Sequence, residues 1–247
     1  EGREITGGRQ SNSWTVGHAF DRTLILFWEG TRSEKSSKLN GEAAVSFFGR
    51  DKPLHTLDLN ALDEWVDYLK SIGNSNATIN RKMAALSKMM STAADRGGLK
   101  SRPKMPRFKE SVGRIRFFTD DEEAKILGLA RKWGLEDVWD ALVVLIDTGL
   151  RPSELYRIVP RDQSSIGNRS AISVWKTKAD LPRTVPLTTR ADQVLTRRAT
   201  AAEHMDDKLF KFKPRWLWAQ FCRIRDHLNM PDTLIYTCRH TCASRLV

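Results

Sequence analysis

Two arginine-centred stretches stand far apart in this chain: Thr148-Gly149-Leu150-Arg151-Pro152-Ser153-Glu154-Leu155 and Tyr236-Thr237-Cys238-Arg239-His240-Thr241. Each sets an arginine at or near the start of an expected helix. A guanidinium keeps its charge at any working pH, and its planar fork matches two oxygens of one phosphate. Two of them converging from distant segments make a clamp for a single phosphate. Other chemistries fit less well. Cys238, His240 and Cys242, with Cys222 upstream, suggest zinc, but on a helix Cys238 and Cys242 share a face while His240 points away. No metal or cofactor is therefore expected. There is no G-x-S-x-G to make Ser153 a hydrolase nucleophile, and no G-x-x-x-x-G-K-[ST] for nucleotide hydrolysis.

Charge points to the owner of the phosphate. The 247 residues carry 41 Lys+Arg against 30 Asp+Glu, a net charge of +11. Such a balance favours polyanions, duplex DNA first among them, with affinity that weakens as salt rises. Hydrophobic residues at 40% suffice for real cores. No apolar run approaches the roughly 20 residues of a membrane span, and the start, Glu1-Gly2-Arg3-Glu4, has no apolar signal segment. Three cysteines, odd in number and clustered late, suggest reduced thiols in a cytoplasmic compartment.

The elements that must position these groups are mainly helical. Val16, Phe20, Leu24 and Phe27 form an apolar stripe over Val16 to Trp28. A second helix is expected over about Lys35 to Phe48, and a third over about Leu59 to Ile72, ended by Gly73. The fourth is the longest. Ser75 or Asn76 caps it, Ile79, Met83, Leu86, Met89 and Met90 line its core face, and Gly97-Gly98 stop it. A stretch with two prolines and five basic residues follows, Lys100 to Lys109. It reads either as a solvated loop or as an extended strap that tracks DNA. Beyond it, Thr119-Asp120-Asp121-Glu122 is a capping box, with Phe118 as staple. Further helices are expected to about Trp133, over Val138 to Asp147, from Pro152, around Arg190, over Pro214 to Leu228 and from Thr237. Alternation at Ile172 and Val174, and again over Thr184-Val185-Pro186-Leu187, predicts a β-hairpin with Lys178 near its tip. Trp216 and Trp218, spaced two apart before an apolar helix, suit packing better than base stacking. The expected class is mainly α (α+β). Its expected parts are a helical domain over 11–98, a basic linker over 99–116 and a mostly helical domain with a small antiparallel sheet over 117–247.

In order, these motifs resemble the tyrosine recombinases, in particular the phage-type integrases. That family shows TGLRxSEL, a lysine-bearing hairpin closing on R-x-V-P-L, and an H-x-L-R-H-T-x-A-S-x-L segment. Here the counterparts are TGLRPSEL, the hairpin ending Arg183-Thr184-Val185-Pro186-Leu187, and YTCRHTCASRL. Asn76-Ala77-Thr78-Ile79-Asn80-Arg81 is similar to the entry of the fourth helix in the family's core-binding domain. The resemblance spans about residues 11 to 247. It implies that Arg151 and Arg239 hold the scissile phosphate and stabilise its transition state. Arg151 would gain from free N–H groups at a helix start. It implies that Lys178, with Lys176 as runner-up, protonates the departing 5′ oxygen. It gives Glu154 a structural job. Asn76, Thr78, Arg81, Lys82, Lys88, Lys100, Arg102, Lys104 and Lys176 are the expected DNA contacts.

Two departures stand out. Tyr236 occupies the place of a family histidine three residues before the second arginine; it reaches the phosphate or is buried as a cap. The family also puts its tyrosine nucleophile a few dozen residues beyond that arginine. Tyr68, Tyr156 and Tyr236, the only tyrosines, do not stand there. The 247 residues are thus expected to hold the clamp without the nucleophile, inactive in cleavage and monomeric, where the full recombinase works as a homotetramer on DNA. The implied reaction is cutting and rejoining of duplex DNA through a 3′-phosphotyrosyl link, giving integration and, in reverse, excision of phage or mobile-element DNA. The competing readings are a type IB topoisomerase-like enzyme and a non-catalytic protein that kept the clamp.

Overall fold

The computed structural model describes residues 14–111, 113, 115–175 and 181–246. The chain divides into two units, Glu1–Gly113 and Arg114–Val247, each with its own apolar core. Among the described residues, no helix is long and apolar enough to cross a membrane.

The first unit is helical. Thr15 caps α1 (Val16–Thr23) by accepting the His18 N–H at 3.1 Å. Next comes α2 (Glu34–Phe48). Asp58 caps α3 (Leu59–Ser71), accepting from the Ala61 N–H at 2.9 Å. Ser75, rather than Asn76, caps α4 (Asn76–Ala94), accepting from the Thr78 N–H. The core is filled by Val16, Phe20, Leu62, Trp65, Leu69 and the expected face of α4: Ile79, Met83, Leu86, Met89 and Met90.

The stripe on the first helix needs a correction. Residues Leu24–Trp28 form a π-helical turn rather than more α-helix. Val16, Ala19, Phe20 and Thr23 keep α spacing and are buried. Continuing that spacing would bury Phe27. The wider turn moves the inward position on by one, so Trp28 is buried and Phe27 is 39% exposed.

In the second unit the capping box is present. The Thr119 hydroxyl accepts from the Glu122 N–H, and Glu122 accepts from the Thr119 N–H, at the start of α5 (Asp120–Lys132). α6 (Glu136–Thr148) runs through the core, with Val138 and Ala141 to Ile146 fully buried. Pro152 opens the expected helix, α7 (Pro152–Leu155), which is a single turn. α8 (Thr189–Thr200), α9 (Pro214–His227) and α10 (Thr237–Ser244) complete the helices.

The sheet has one strand more than the predicted hairpin. β2 (Arg169–Val174) pairs antiparallel with β3 (Arg183–Pro186), Ile172 opposite Val185. β1 (Gln163–Ile166) adds to the other edge of β2 through a two-residue turn led by Gly167 at φ +58°. The outer strand has no apolar alternation because three of its four side chains face water.

Ion pairs on buried carboxylates join the helices. Asp140 on α6, 2% exposed, accepts from Arg198 Nε at 2.7 Å and from Arg197. Arg190 on α8 bridges Asp147 on α6 and Glu123 on α5, the latter at 2.8 Å.

Two glycines give opposite expectations. A Cβ on Gly98 would stand 2.0 Å from the Trp14 ring, whereas one on Gly128, mid-way along α5, would meet nothing. Gly98→Ala should destabilise by about 1–3 kcal/mol through overpacking. Gly128→Ala should stabilise by about 0.5–1 kcal/mol through lower backbone entropy in the unfolded chain. Chemical denaturation of both variants checks the signs.

Candidate phosphate-binding site

The site begins where α6 stops. Gly149 takes the left-handed conformation at φ +61°, and its N–H donates to Leu145 O at 3.1 Å. Leu150 is buried, which turns the chain so that Arg151 emerges in extended conformation at the entry of α7. Three residues on, Glu154 is 3% exposed. Its carboxylate is surrounded by donors: the Arg151 N–H at 2.8 Å, Arg151 Nη1 at 2.9 Å, and Arg183 Nη1 and Nη2 at 3.0 and 2.7 Å. Arg183 sits at the start of β3. One buried acid thus orients the guanidinium of Arg151 and ties the sheet to the arginine loop.

α10 supplies the second arginine. Cys238 is fully buried in the core, and Thr241 accepts the Phe118 N–H at 2.9 Å. These contacts fix the helix, and Arg239 donates to the carbonyl of Gly149. A Cβ on Gly149 would lie 3.1 Å from Cys242 Sγ, so the absence of a side chain there lets α10 approach closely. Arg239 therefore docks two residues from Arg151, and the two distant motifs meet. The Arg151 side chain is 30% exposed, which leaves part of its fork open. Two permanent cations on adjoining backbone can bind the two non-bridging oxygens of a phosphodiester.

The expected help from a helix start does not hold. α7 is one turn long, and the Arg151 N–H already faces the Glu154 carboxylate. Tyr236 is 43% exposed, at the first position before α10, with its ring edge-on to His240 at 5.2 Å between centroids; it is not a buried cap. The cysteines and His240 have separate surroundings: Cys238 the core, Cys242 the Asp147 carbonyl at 3.7 Å, His240 the Tyr236 ring. Trp216 and Trp218 rest against Phe212 and Phe221. Lys176 and Lys178 lie outside the described residues.

The remaining expected contacts belong to the first unit. Asn76 Nδ2 donates to the Lys109 carbonyl at 2.8 Å, and Thr78 Oγ1 is 3.1 Å from Ser75 Oγ. Lys88 Nζ sits 3.4 Å over the Phe27 ring. Arg81, Lys100, Arg102 and Lys104 are exposed, and Lys82 is half-buried. Sequence reasoning missed the role of Arg183. The three-residue spacing of Arg151 and Glu154 signals their pairing, but nothing local in sequence signals that β3 reaches the same acid.

Burial pushes the Glu154 carboxyl up, but hydrogen bonds from Arg183 and from the Arg151 backbone and side chain outweigh it. The net result is a fall from the ordinary 4.5 to about 2. A depressed carboxyl stabilises the fold above its unfolded value, and that contribution is lost as pH falls through the folded value. Stability should therefore decline between about pH 4.5 and 2. Glu154→Gln should flatten that part of the profile while lowering stability at neutral pH, as followed by thermal denaturation across pH.

No protein-family model matches the sequence, and no curated protein matches it closely. Solved structures match well in shape. The Tn1549 transposon integrase in complex with circular intermediate DNA superposes with a TM-score of 0.72 at 21% identity, over 95% of this chain and 87% of that one. A lambda integrase dimer bound to a COC′ core site gives 0.75 at 18%, over 94% and 70%. The XerH site-specific recombinase bound to difH substrate gives 0.65 at 18%, over 87% and 69%. The chain has the fold of the tyrosine recombinases.

Proposed function

We propose that this chain binds duplex DNA and clamps its scissile phosphate in site-specific recombination of the integrase kind, serving a phage or mobile element in the cytoplasm of its host. The observation that carries the reading is the docking of Arg239 on the Gly149 carbonyl, which sets the second arginine beside the loop of the first. In this reading residues 117–247 form the catalytic domain, 11–98 the core-type DNA-binding domain and 99–116 the linker.

The chemistry is transesterification. A tyrosine oxygen attacks the phosphorus, a 3′-phosphotyrosyl bond forms, and the bond to the 5′ oxygen breaks. A 5′ hydroxyl later reverses the step. Bond energy is conserved, so no high-energy cofactor is needed. Arg151 and Arg239 neutralise charge on the non-bridging oxygens. Lys178 protonates the leaving oxygen, with Lys176 as alternate, and Tyr236 adds a hydrogen bond in place of imidazole. Arg81, Lys82, Lys88, Lys100, Arg102 and Lys104, with Thr78, face the duplex, and Asn76 acts on it through the segment it holds at the Lys109 carbonyl. Two duplexes and four protomers make the working assembly.

The attacking tyrosine is none of the three in these 247 residues. Tyr68 on α3 lies in the first unit against Phe47, at 5.0 Å between ring centroids. Burial pushes the Tyr156 hydroxyl up, and its ring stands edge-on to Phe212. Tyr236 holds the histidine position beside the clamp.

Labelled duplex titrated at several salt concentrations tests the reading. About four phosphate contacts predict a fall in affinity on the order of 10²-fold between 50 and 200 mM salt. Affinity indifferent to salt overturns it. Incubation with a nicked duplex followed by denaturing electrophoresis should show no covalent protein–DNA band; a strong band would identify Tyr68, Tyr156 or Tyr236 as nucleophile and relocate the active site.

A further inference from the structure

The stretch Lys100–Glu110 has no regular structure, yet it is fastened to α4 along its second half. The Asn80 side chain pairs with Phe108 as a neighbouring strand would. Asn80 Oδ1 accepts the Phe108 N–H at 2.9 Å, and Asn80 Nδ2 donates to the Phe108 carbonyl at 2.9 Å. The same amide nitrogen also donates to Glu110 Oε1 at 2.9 Å. One helical turn earlier, Asn76 Nδ2 holds the Lys109 carbonyl. A carboxamide has the donor and acceptor of a peptide group, and residues four apart share a helix face, so the pair makes a clasp for extended backbone.

The clasp sorts the side chains. Met105 and Phe108 pack inward on the first unit's core. Lys100, Arg102, Lys104, Arg107 and Lys109 are exposed. None of these five cations forms an ion pair among the described residues. In the second unit, by contrast, Arg116, Arg183, Arg190, Arg197 and Arg198 are all engaged by carboxylates. Arg81, next to Asn80, borders the same groove as Arg107. The result is a set of exposed cations on a segment whose second half is held at Phe108, Lys109 and Glu110, with Pro103 and Pro106 within it narrowing its conformations further.

We infer that Asn80, aided by Asn76, is a positioning residue for duplex DNA: it orders the basic strap on α4 before DNA arrives, so that the set of cations meets the phosphates preformed. The inference rests on the DNA reading above. Its gain is preorganisation, since a strap that must be ordered at binding gives weaker affinity for the same final contacts.

The two roles, clasp and phosphate contact, have different signatures. Asn80→Ala should weaken duplex binding about 10-fold while leaving the slope of log affinity against log salt unchanged, because the bound contacts persist. It should also speed tryptic cleavage after Lys104 and Arg107. Arg107→Ala should instead reduce the slope by about 0.9, one phosphate contact. Asn76→Ala, at an exposed position, should follow Asn80→Ala in smaller measure, and it serves where Asn80→Ala fails to fold by thermal denaturation. The inference is overturned if the strap becomes trypsin-sensitive without loss of affinity. It is equally overturned if Asn80→Ala lowers the salt slope, because the strap cations would then no longer reach the phosphates in the complex and the loss would lie in contacts, not in preorganisation. A wild-type protein with no salt-dependent DNA binding would defeat the DNA reading and the inference with it; the tryptic arm would then still show whether the clasp exists.

Discussion

A carboxylate taken out of water is stable only where donors replace the lost hydration. Glu154 meets that demand with four hydrogen bonds, from the Arg151 backbone, the Arg151 side chain and both terminal nitrogens of Arg183. The acid and its two donor residues are placed by different elements. Gly149 and Leu150 set the loop, the entry to α7 sets the acid, and β3 brings Arg183 across. The orientation of Arg151 is thus a by-product of neutralising a buried charge. Because Arg183 begins the strand that leaves the stretch 176–180, the same acid couples the hairpin to the clamp. α10 then closes the site through the Gly149 carbonyl, a contact that needs both a left-handed glycine and room for Cys242.

The cations of the chain divide into two populations. In the second unit Arg116, Arg190, Arg197, Arg198 and Arg245 act internally, paired with Glu122, Glu123, Asp140 and Asp147. Their charge is balanced within a few ångströms, so they contribute little to the long-range field. On the segment after α4, by contrast, Lys100, Arg102, Lys104, Arg107 and Lys109 are exposed and form no ion pair among the described residues. Net charge alone does not make this distinction; only the positions of the carboxylates do.

How far the sequence reveals this molecule depends on the range of each interaction. Helix boundaries set by local caps are legible: Thr119 with Glu122, Ser75 with Thr78, Gly149 after α6. So are the apolar faces of α4 and α6, because a 3.6-residue period leaves a clear trace. β1 leaves no such trace, being polar and held by backbone pairing and by the Ser173–Ser164 hydroxyl contact at 3.1 Å. The Arg183–Glu154 and Asn80–Phe108 pairs span 29 and 28 positions. They are decided by how elements pack, and polar residues of this kind sit as readily in solvent. The two arginine motifs are legible because both are distinctive in themselves; that Arg239 docks through the Gly149 carbonyl is not.

The π turn after α1 shows one more thing about this fold. From Thr23 to Trp28 the chain holds one residue more than an α-helix needs to reach the same socket. The extra residue is accommodated inside a helix rather than in a loop. The displaced ring is Phe27, turned out of the core by the added residue, and Lys88 of α4 now rests its ammonium on that ring's face. An indel and a surface cation are thereby linked: a homologue one residue shorter at this turn would draw the phenyl ring back inside and leave the lysine without its seat.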